Sequence, residues 1–187
     1  MSWLSHLQPN LILGGPILGL TPEILQNYEI KGLVLDVDET LVPLRSKEAS
    51  AELREWVEQI RQVVSLWLVS NNLSESRIRS IANSLDLPYI LAASKPSRRK
   101  LKKAAAAMNL PVEEVAMVGD RLFTDVLAGN RLGMFTILVE PMVDPSIIAP
   151  SYPTRDFEVW LTQALGVSLS AQQQNLNKHD KSRKYEI

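Results

Sequence analysis

The chain reads as an α/β protein built on a doubly wound parallel sheet, and three observations carry that expectation. Short runs of branched apolar residues, such as Leu33-Val34-Leu35, Leu66-Trp67-Leu68-Val69 and Val115-Ala116-Met117-Val118, have the continuous apolar character of strands buried on both faces. The segments between them repeat apolar residues at helical spacing, and strands alternating with helices specify parallel pairing. Four of the expected strands also end in residues able to bind phosphate or metal. That is the sheet edge where open α/β folds hold their ligands.

The elements follow in order. Met1 to Leu20 is apolar with little charge, but it has no basic leading region, and Pro9, Asn10 and Gly14-Gly15-Pro16 interrupt it. It reads as neither an export signal nor a membrane-spanning helix. Trp3, Leu4, Leu7, Leu11, Ile12 and Leu13 are expected to pack across the domain, with contact to a lipid interface as the other use of such residues. Thr21-Pro22-Glu23 starts a short helix, with Thr21 as N-cap and Pro22 at the first helical position, running to about Tyr28. The strand ending at Asp36 comes next. Ser46 to Val64 places Leu53, Trp56, Val57, Ile60 and Val64 at helical spacing, with charged residues between them.

After the strand Leu66 to Val69, a helix from about Ser74 to Leu85 turns Ile78, Ile81 and Leu85 inward. Pro88 to Ala92 is a short third strand, and a basic helix runs from Ser97 or Arg98 to Met108. Val115 to Val118 delivers Gly119-Asp120, Phe123 to Leu132 is helical, Gly133 caps it, and Met134 to Val139 is a fifth strand. Pro141 to Pro153 is irregular, and Thr154 opens a last helix burying Phe157, Trp160, Leu161 and Leu165. We expect residues 1–166 to form one domain and 167–187 a polar tail too poor in apolar residues to fold.

Composition narrows the chemistry. The 187 residues carry a formal net charge of −1 with 22% charged, so no global bias points to nucleic acid, and none is expected as a partner. There is no cysteine, which removes disulfides, thiolate metal sites and cysteine nucleophiles together. The two histidines, His6 and His179, lie near opposite termini, which argues against a Ser-His-Asp hydrolase or a histidine-rich metal centre.

What remains is carboxylate chemistry. Asp36 and Asp38 lie at or just past a strand end, where both can converge on one pocket. Two close carboxylates resist joint ionisation unless a cation separates them, and Mg2+ is held by a few carboxylates plus phosphate oxygens. An ionised Asp beside Mg2+ can attack phosphorus to give an aspartyl-phosphate, and a second Asp can trade protons with the leaving alcohol and with water. Alone, Asp36-Val37-Asp38-Glu39-Thr40 could as easily begin a turn.

The other strand ends decide between these. Ser70 and Thr40 offer hydroxyls, and Asn71 and Asn72 offer backbone N–H groups ahead of a helix, a ready anion site. Lys95 can neutralise both a phosphate and an aspartate nucleophile. Asp120 is placed to reach a metal, Gly119 permits close approach, and Asp125 could hold Lys95 or a metal-bound water from behind. Four such features in order, each at a strand end, are far more specific than any one of them.

On those residues the chain resembles the haloacid dehalogenase (HAD) superfamily of phosphatases. Asp36-Val37-Asp38-Glu39-Thr40 is similar to its first motif, Ser70-Asn71 to the second, Lys95-Pro96 to the third, and Gly119-Asp120 with Asp125 to the fourth. The resemblance implies a HAD-like Rossmannoid fold, Asp36 as nucleophile, Asp38 as general acid and base, and catalytic Lys95. It further implies phosphate binding by Ser70, Asn71, Lys95 and Thr40, with Mg2+ held by Asp36, the Asp38 backbone carbonyl and Asp120. More narrowly the chain looks like YqeG-type members of subfamily IIIA, on Leu7-Gln8-Pro9, Thr21-Pro22-Glu23, Ile30-Lys31-Gly32, Gly119 through Gly133, and Thr136-Ile137-Leu138-Val139. That likeness covers roughly residues 7 to 145.

Only about 30 residues separate Thr40 from Ser70 and about 23 separate Asn72 from Lys95, so no inserted cap domain fits. An open, capless site suits substrates that bring their own cover. Lys95, Arg98, Arg99, Lys100, Lys102 and Lys103 lie beside it, and those facing an anionic membrane would each contribute about 1 kcal/mol. The resemblance implies phosphatidylglycerophosphate, an anionic lipid, as candidate substrate and a role in phospholipid metabolism. The expected location is the cytoplasm, with peripheral membrane contact. Two alternatives stand: a soluble phosphatase for a nucleotide, sugar phosphate or phosphoprotein, and a catalytically silent phospho-receiver or binding module.

Overall fold

The structure is a computed structural model and describes residues 3–142. In chain order the elements are β1 (Leu11–Ile12), α1 (Pro22–Asn27), β2 (Gly32–Asp36), α2 (Ala51–Ile60), β3 (Ser65–Val69) and α3 (Glu75–Leu85). There follow β4 (Tyr89–Ile90), α4 (Arg99–Ala107), β5 (Val115–Gly119), α5 (Leu127–Leu132) and β6 (Phe135–Leu138). Among the described residues the strands form one parallel sheet, in the order β1-β6-β5-β2-β3-β4. The expected α/β architecture is present, and its order shows where a ligand can sit. From β2 the chain moves outward through β3 and β4, then crosses back to β5 on the other flank of β2. Strand order reverses between β2 and β5, and the crevice beyond their C-terminal ends is the natural binding place.

Alternation along the strands builds two cores. Leu33 and Leu35 of β2, Leu66 and Leu68 of β3, and Ala116 and Val118 of β5 pack on one face with Leu53, Trp56 and Ile60 of α2 and Ile78 and Ile81 of α3. Val34, Val69, Val115 and Met117 pack on the other with Leu101, Ala104 and Ala105 of α4 and Ala128 of α5. A leucine as deeply buried as Leu33 or Leu35 contributes about 1.5–3 kcal/mol of transfer free energy, so these strands are fixed from both sides.

Local signals set the helix ends. Thr21 Oγ1 accepts from the Ile24 N–H at 3.5 Å, with Pro22 opening α1. Ser50 Oγ accepts from the Leu53 N–H at 3.1 Å, so α2 begins at Ala51 rather than at Ser46 as the spacing suggested. Residues 43–50 form a loop instead, with the Pro43 and Ser46 carbonyls facing Arg77. Gly133, at φ 89, closes α5 in the left-handed conformation expected of it. The segment ahead of α5 departs from the α-helix read from Phe123: Leu122–Val126 is a π-helical turn, which carries Asp125.

The N-terminal segment packs on the domain. Leu11 and Ile12 pair with Ile137 and Leu138 as an edge strand that periodicity over two residues could not reveal. Leu7 and Leu11 are buried, and Ile12 and Leu13 are partly covered. Asn10 fixes the register: its Oδ1 accepts from the Thr136 N–H at 2.9 Å while its own N–H donates to Thr136 Oγ1 at 3.1 Å. No described helix is long and apolar enough to cross a membrane. The helix expected from Thr154 and the polar tail 167–187 lie outside the described residues.

Candidate active site

The crevice at the strand reversal holds a cavity of about 260 Å³ lined by Asp36, Asp38, Asn71, Lys95 and Asp125, together with Leu44, Asn72, Arg121 and Thr124. A larger groove of about 600 Å³ lies elsewhere, lined by Lys31, Arg61, Trp67 and Met108 among others, and gathers no comparable chemistry. Asp36 is the last residue of β2. Beyond it the chain folds back at once, with the Leu41 and Val42 N–H groups donating to the Val37 carbonyl at 3.1 and 3.3 Å. Glu39 takes φ 64 inside this turn, and Arg121 Nη2 donates to its Oε2 at 2.7 Å.

Three buried carboxylates meet here, from the end of β2, from just past β5 and from the π-helical turn that follows. Oxygens of Asp36, Asp120 and Asp125 all lie within 4.8 Å of one another. Lys95, itself buried, donates to Asp36 Oδ1 and lies 2.6 Å from Asp125 Oδ1. Thr40 Oγ1 is fully buried and lies 3.2 Å from Asp36 Oδ2 and 3.3 Å from Asp120 Oδ1, bridging the two acids. The expected proximity of Asp125 to Lys95 is present, and the π-helical turn is what delivers it. Gly119 is needed for the approach: a Cβ there would lie 2.4 Å from Asp125 Cγ.

Asp38 is placed differently. Its carboxylate faces β3 and α3 and stands outside the trio. Ser70 Oγ donates to Asp38 Oδ2 at 3.0 Å, and Arg77 Nη1 pairs with Asp38 Oδ1. The hydroxyls of Ser70 and Thr40, read from sequence as phosphate contacts, are thus turned to carboxylates, and both side chains are fully buried. Asn71 lines the cavity, yet its side-chain amide clamps the Lys95 backbone, accepting from its N–H at 2.8 Å and donating to its carbonyl at 3.2 Å. Sequence reasoning missed Arg77, Arg121, Thr124 and Leu44. Arg77 reaches Asp38 across 39 residues, a contact no local motif signals.

The electrostatics follow from burial. Desolvation raises the Asp36 carboxyl from 3.8 to about 7, against the lowering pull of Lys95 and with the Asp125 charge adding to the rise. Desolvation, then the charges of Asp125 and Asp36, raise Asp120 from 3.8 to about 8. Burial disfavours the Lys95 ammonium, but the Asp125 and Asp36 charges outweigh it and hold its pKa above the ordinary value. Three buried acids share one ammonium, and hard oxygen donors at this spacing fit a small divalent cation that would let them ionise together.

Comparison with known proteins gives consistent findings. A family model described as HAD-hydrolase-like matches residues 92–141. The protein named "Probable phosphatase YqeG" from Bacillus subtilis (strain 168) is 39% identical over 127 residues, covering 67% of this chain and 73% of that one. "Phosphatidylglycerophosphate phosphatase 1, chloroplastic/mitochondrial" from Arabidopsis thaliana is 28% identical over 129 residues, covering 64% of this chain but 37% of the plant protein. Among solved structures, NagD from E. coli K-12 superposes with a TM-score of 0.50 at 14% identity, over 65% of this chain and 94% of that one.

Proposed function

The chain belongs to the HAD phosphatases, and from that premise we propose that it hydrolyses a phosphomonoester through an aspartyl-phosphate on Asp36. The observation that carries the reading is the separation of two kinds of carboxylate. Asp36 sits with Asp120 and Asp125 in the buried trio, paired to Lys95, while Asp38 is held apart by Ser70 and Arg77. Asp36 is the nucleophile: its oxygen bonds to phosphorus as the bond to the leaving oxygen breaks. Asp38 gives a proton to that oxygen, so the alcohol departs neutral. Asp38 then takes a proton from water, which attacks the phosphorus, releases phosphate and restores the Asp36 carboxylate. Lys95 offsets charge on Asp36 and on the phosphoryl oxygens. Mg2+ is the cation these donors suit, and Asp36, Asp120 and the Asp38 backbone carbonyl would hold it, with Asp125 beside them. When bound, it neutralises the acids and the phosphate charge.

The candidate substrate is phosphatidylglycerophosphate. Two of the large exposed apolar side chains support a lipid: Leu44, 54% exposed, lines the cavity, and Leu73, 81% exposed, follows the lining residue Asn72. The likeness to the plant phosphatase supports the same substrate. Peripheral contact with an anionic membrane follows as part of this reading. The test is phosphate release from phosphatidylglycerophosphate in mixed micelles with Mg2+, comparing wild type, Asp36→Asn and an EDTA control. Release lost in both controls is the expected result. Turnover of p-nitrophenyl phosphate without release from the lipid discards the lipid and keeps the chemistry.

A further inference from the structure

We infer that Arg77 is a positioning residue for the proton-transferring carboxylate of Asp38, an assignment that rests on the role proposed for Asp38 above. Arg77 stands in the first turns of α3, yet its guanidinium spends its donors on the site rather than on its own helix. Nη1 pairs with Asp38 Oδ1, Nη2 donates to the Pro43 carbonyl at 3.2 Å, and Nε donates to the Ser46 carbonyl at 2.8 Å. Its side chain is 10% exposed and that of Asp38 15%. One fork therefore fixes three points: the carboxylate and both ends of the turn from Pro43 to Ser46. Ser70 Oγ holds the other carboxylate oxygen at 3.0 Å, so Asp38 is tied from both sides.

The need for such a tie follows from where Asp38 lies. It is past the end of β2, in a turn, where an isolated bridge to Val42 rather than a neighbouring strand holds its backbone. A proton donor must sit within hydrogen-bond reach of the leaving oxygen, and displacement by about 1 Å can cost on the order of 100-fold in rate. Arg rather than Lys suits the task, because its rigid fork can serve several acceptors at once while an ammonium acts as a point charge. Loss of an ion pair of purely structural value would weaken folding without regard to the leaving group of the substrate. A positioning role makes a sharper statement. Its loss must matter most where the leaving oxygen most needs a proton.

The experiment compares kcat/KM for phenyl phosphate and p-nitrophenyl phosphate with Mg2+ present, because p-nitrophenolate departs without being protonated. The proteins are wild type, Asp38→Asn, Arg77→Ala, Arg77→Lys and the double variant, each with its unfolding temperature recorded. Arg77→Ala is expected to lose roughly 10- to 100-fold on phenyl phosphate and only a few-fold on p-nitrophenyl phosphate. Arg77→Lys should recover part of that selective loss, and it carries the comparison if Arg77→Ala does not fold. Adding Arg77→Ala to Asp38→Asn should bring no further selective loss, since the two act through one group. Equal losses on both substrates, or additive losses in the double variant, overturn the assignment of Arg77. If Asp38→Asn itself shows no selectivity for leaving group, the role of Asp38 falls first and the inference with it.

Discussion

Removing the divalent cation should make the fold less stable as pH rises, the reverse of ordinary acid denaturation. Asp36 and Asp120 have folded-state pKa values raised from 3.8 to about 7 and about 8, first of all by desolvation. Between the unfolded and folded values the native state binds more protons than the unfolded chain, so stability falls with increasing pH. The contribution is fully present below about pH 4 and is lost as pH passes about 7 to 8. At about 1.4 kcal/mol per pH unit, the rise at Asp120 alone corresponds to a ceiling of about 6 kcal/mol and that at Asp36 to about 4. The two acids share one network and Lys95, so the effects do not add. We expect a net fall on the order of 2–4 kcal/mol between pH 5 and pH 8, about 10 °C in unfolding temperature for a domain of this size. Mg2+ replaces the protons, so its stabilising increment must be larger at pH 8 than at pH 6. Thermal unfolding in EDTA and in Mg2+ across this range reads both quantities. Asp120→Asn is the internal control, since it removes one acid and should flatten the EDTA profile and shrink the Mg2+ increment. A metal-free unfolding temperature that is level or rising from pH 5 to 8, with the same Mg2+ increment throughout, would refute the reasoning.

Three further outcomes can be checked. Lys95→Met removes the one ammonium held between Asp36 and Asp125, so phosphate release should drop by at least 100-fold and the fold should lose about 3–5 kcal/mol at pH 8, read by denaturant unfolding. A smaller stability loss at pH 5, where the acids take up protons instead, is part of the same prediction. Gly119→Ala puts a Cβ 2.4 Å from Asp125 and must displace it, so a cost of about 1–3 kcal/mol should come with weakened catalysis on every phosphomonoester tested. Leu73→Ser should lower turnover of phosphatidylglycerophosphate in vesicles by about 10-fold while p-nitrophenyl phosphate hydrolysis holds, because Leu73 is 81% exposed and lies outside the cavity lining. Equal rates on vesicles for Leu73→Ser and wild type would remove that leucine from any lipid contact.

Periodicity was enough to place the elements that are long or buried on both faces. β2, β3 and β5 carry unbroken apolar runs because both faces of a parallel sheet are covered, and α2 and α3 show their buried stripes because one side of each meets the sheet. The same logic could not find β1, since two residues have no period; Leu11 and Ile12 become a strand only because β6 offers an edge and Asn10 fixes the register. Nor could it start α2 correctly: Ser46 to Ser50 reads as an acceptable first turn, whereas Ser50 caps the helix and the Pro43 and Ser46 carbonyls ahead of it accept from Arg77.

The site divides along the same line. The sequence by itself determined which side chains stand at the strand ends, because a strand that stops at Asp36 or Gly119 delivers the next residues to the sheet edge whatever else happens. Tertiary structure alone decided what each of them faces. Thr40 and Ser70 were legible as hydroxyls near a site, yet their bonds to Asp36, Asp120 and Asp38 depend on how β3 and β5 flank β2. Asp125 was legible as an acid behind Lys95, while its approach depends on a π-helical turn packed against Gly119. Arg77 was invisible in this role, because a guanidinium on an amphipathic helix looks like any solvated charge until the chain closes across 39 residues. Strand direction is a local property and is written in sequence; the partner of a polar side chain is a non-local one, fixed when the sheet is assembled.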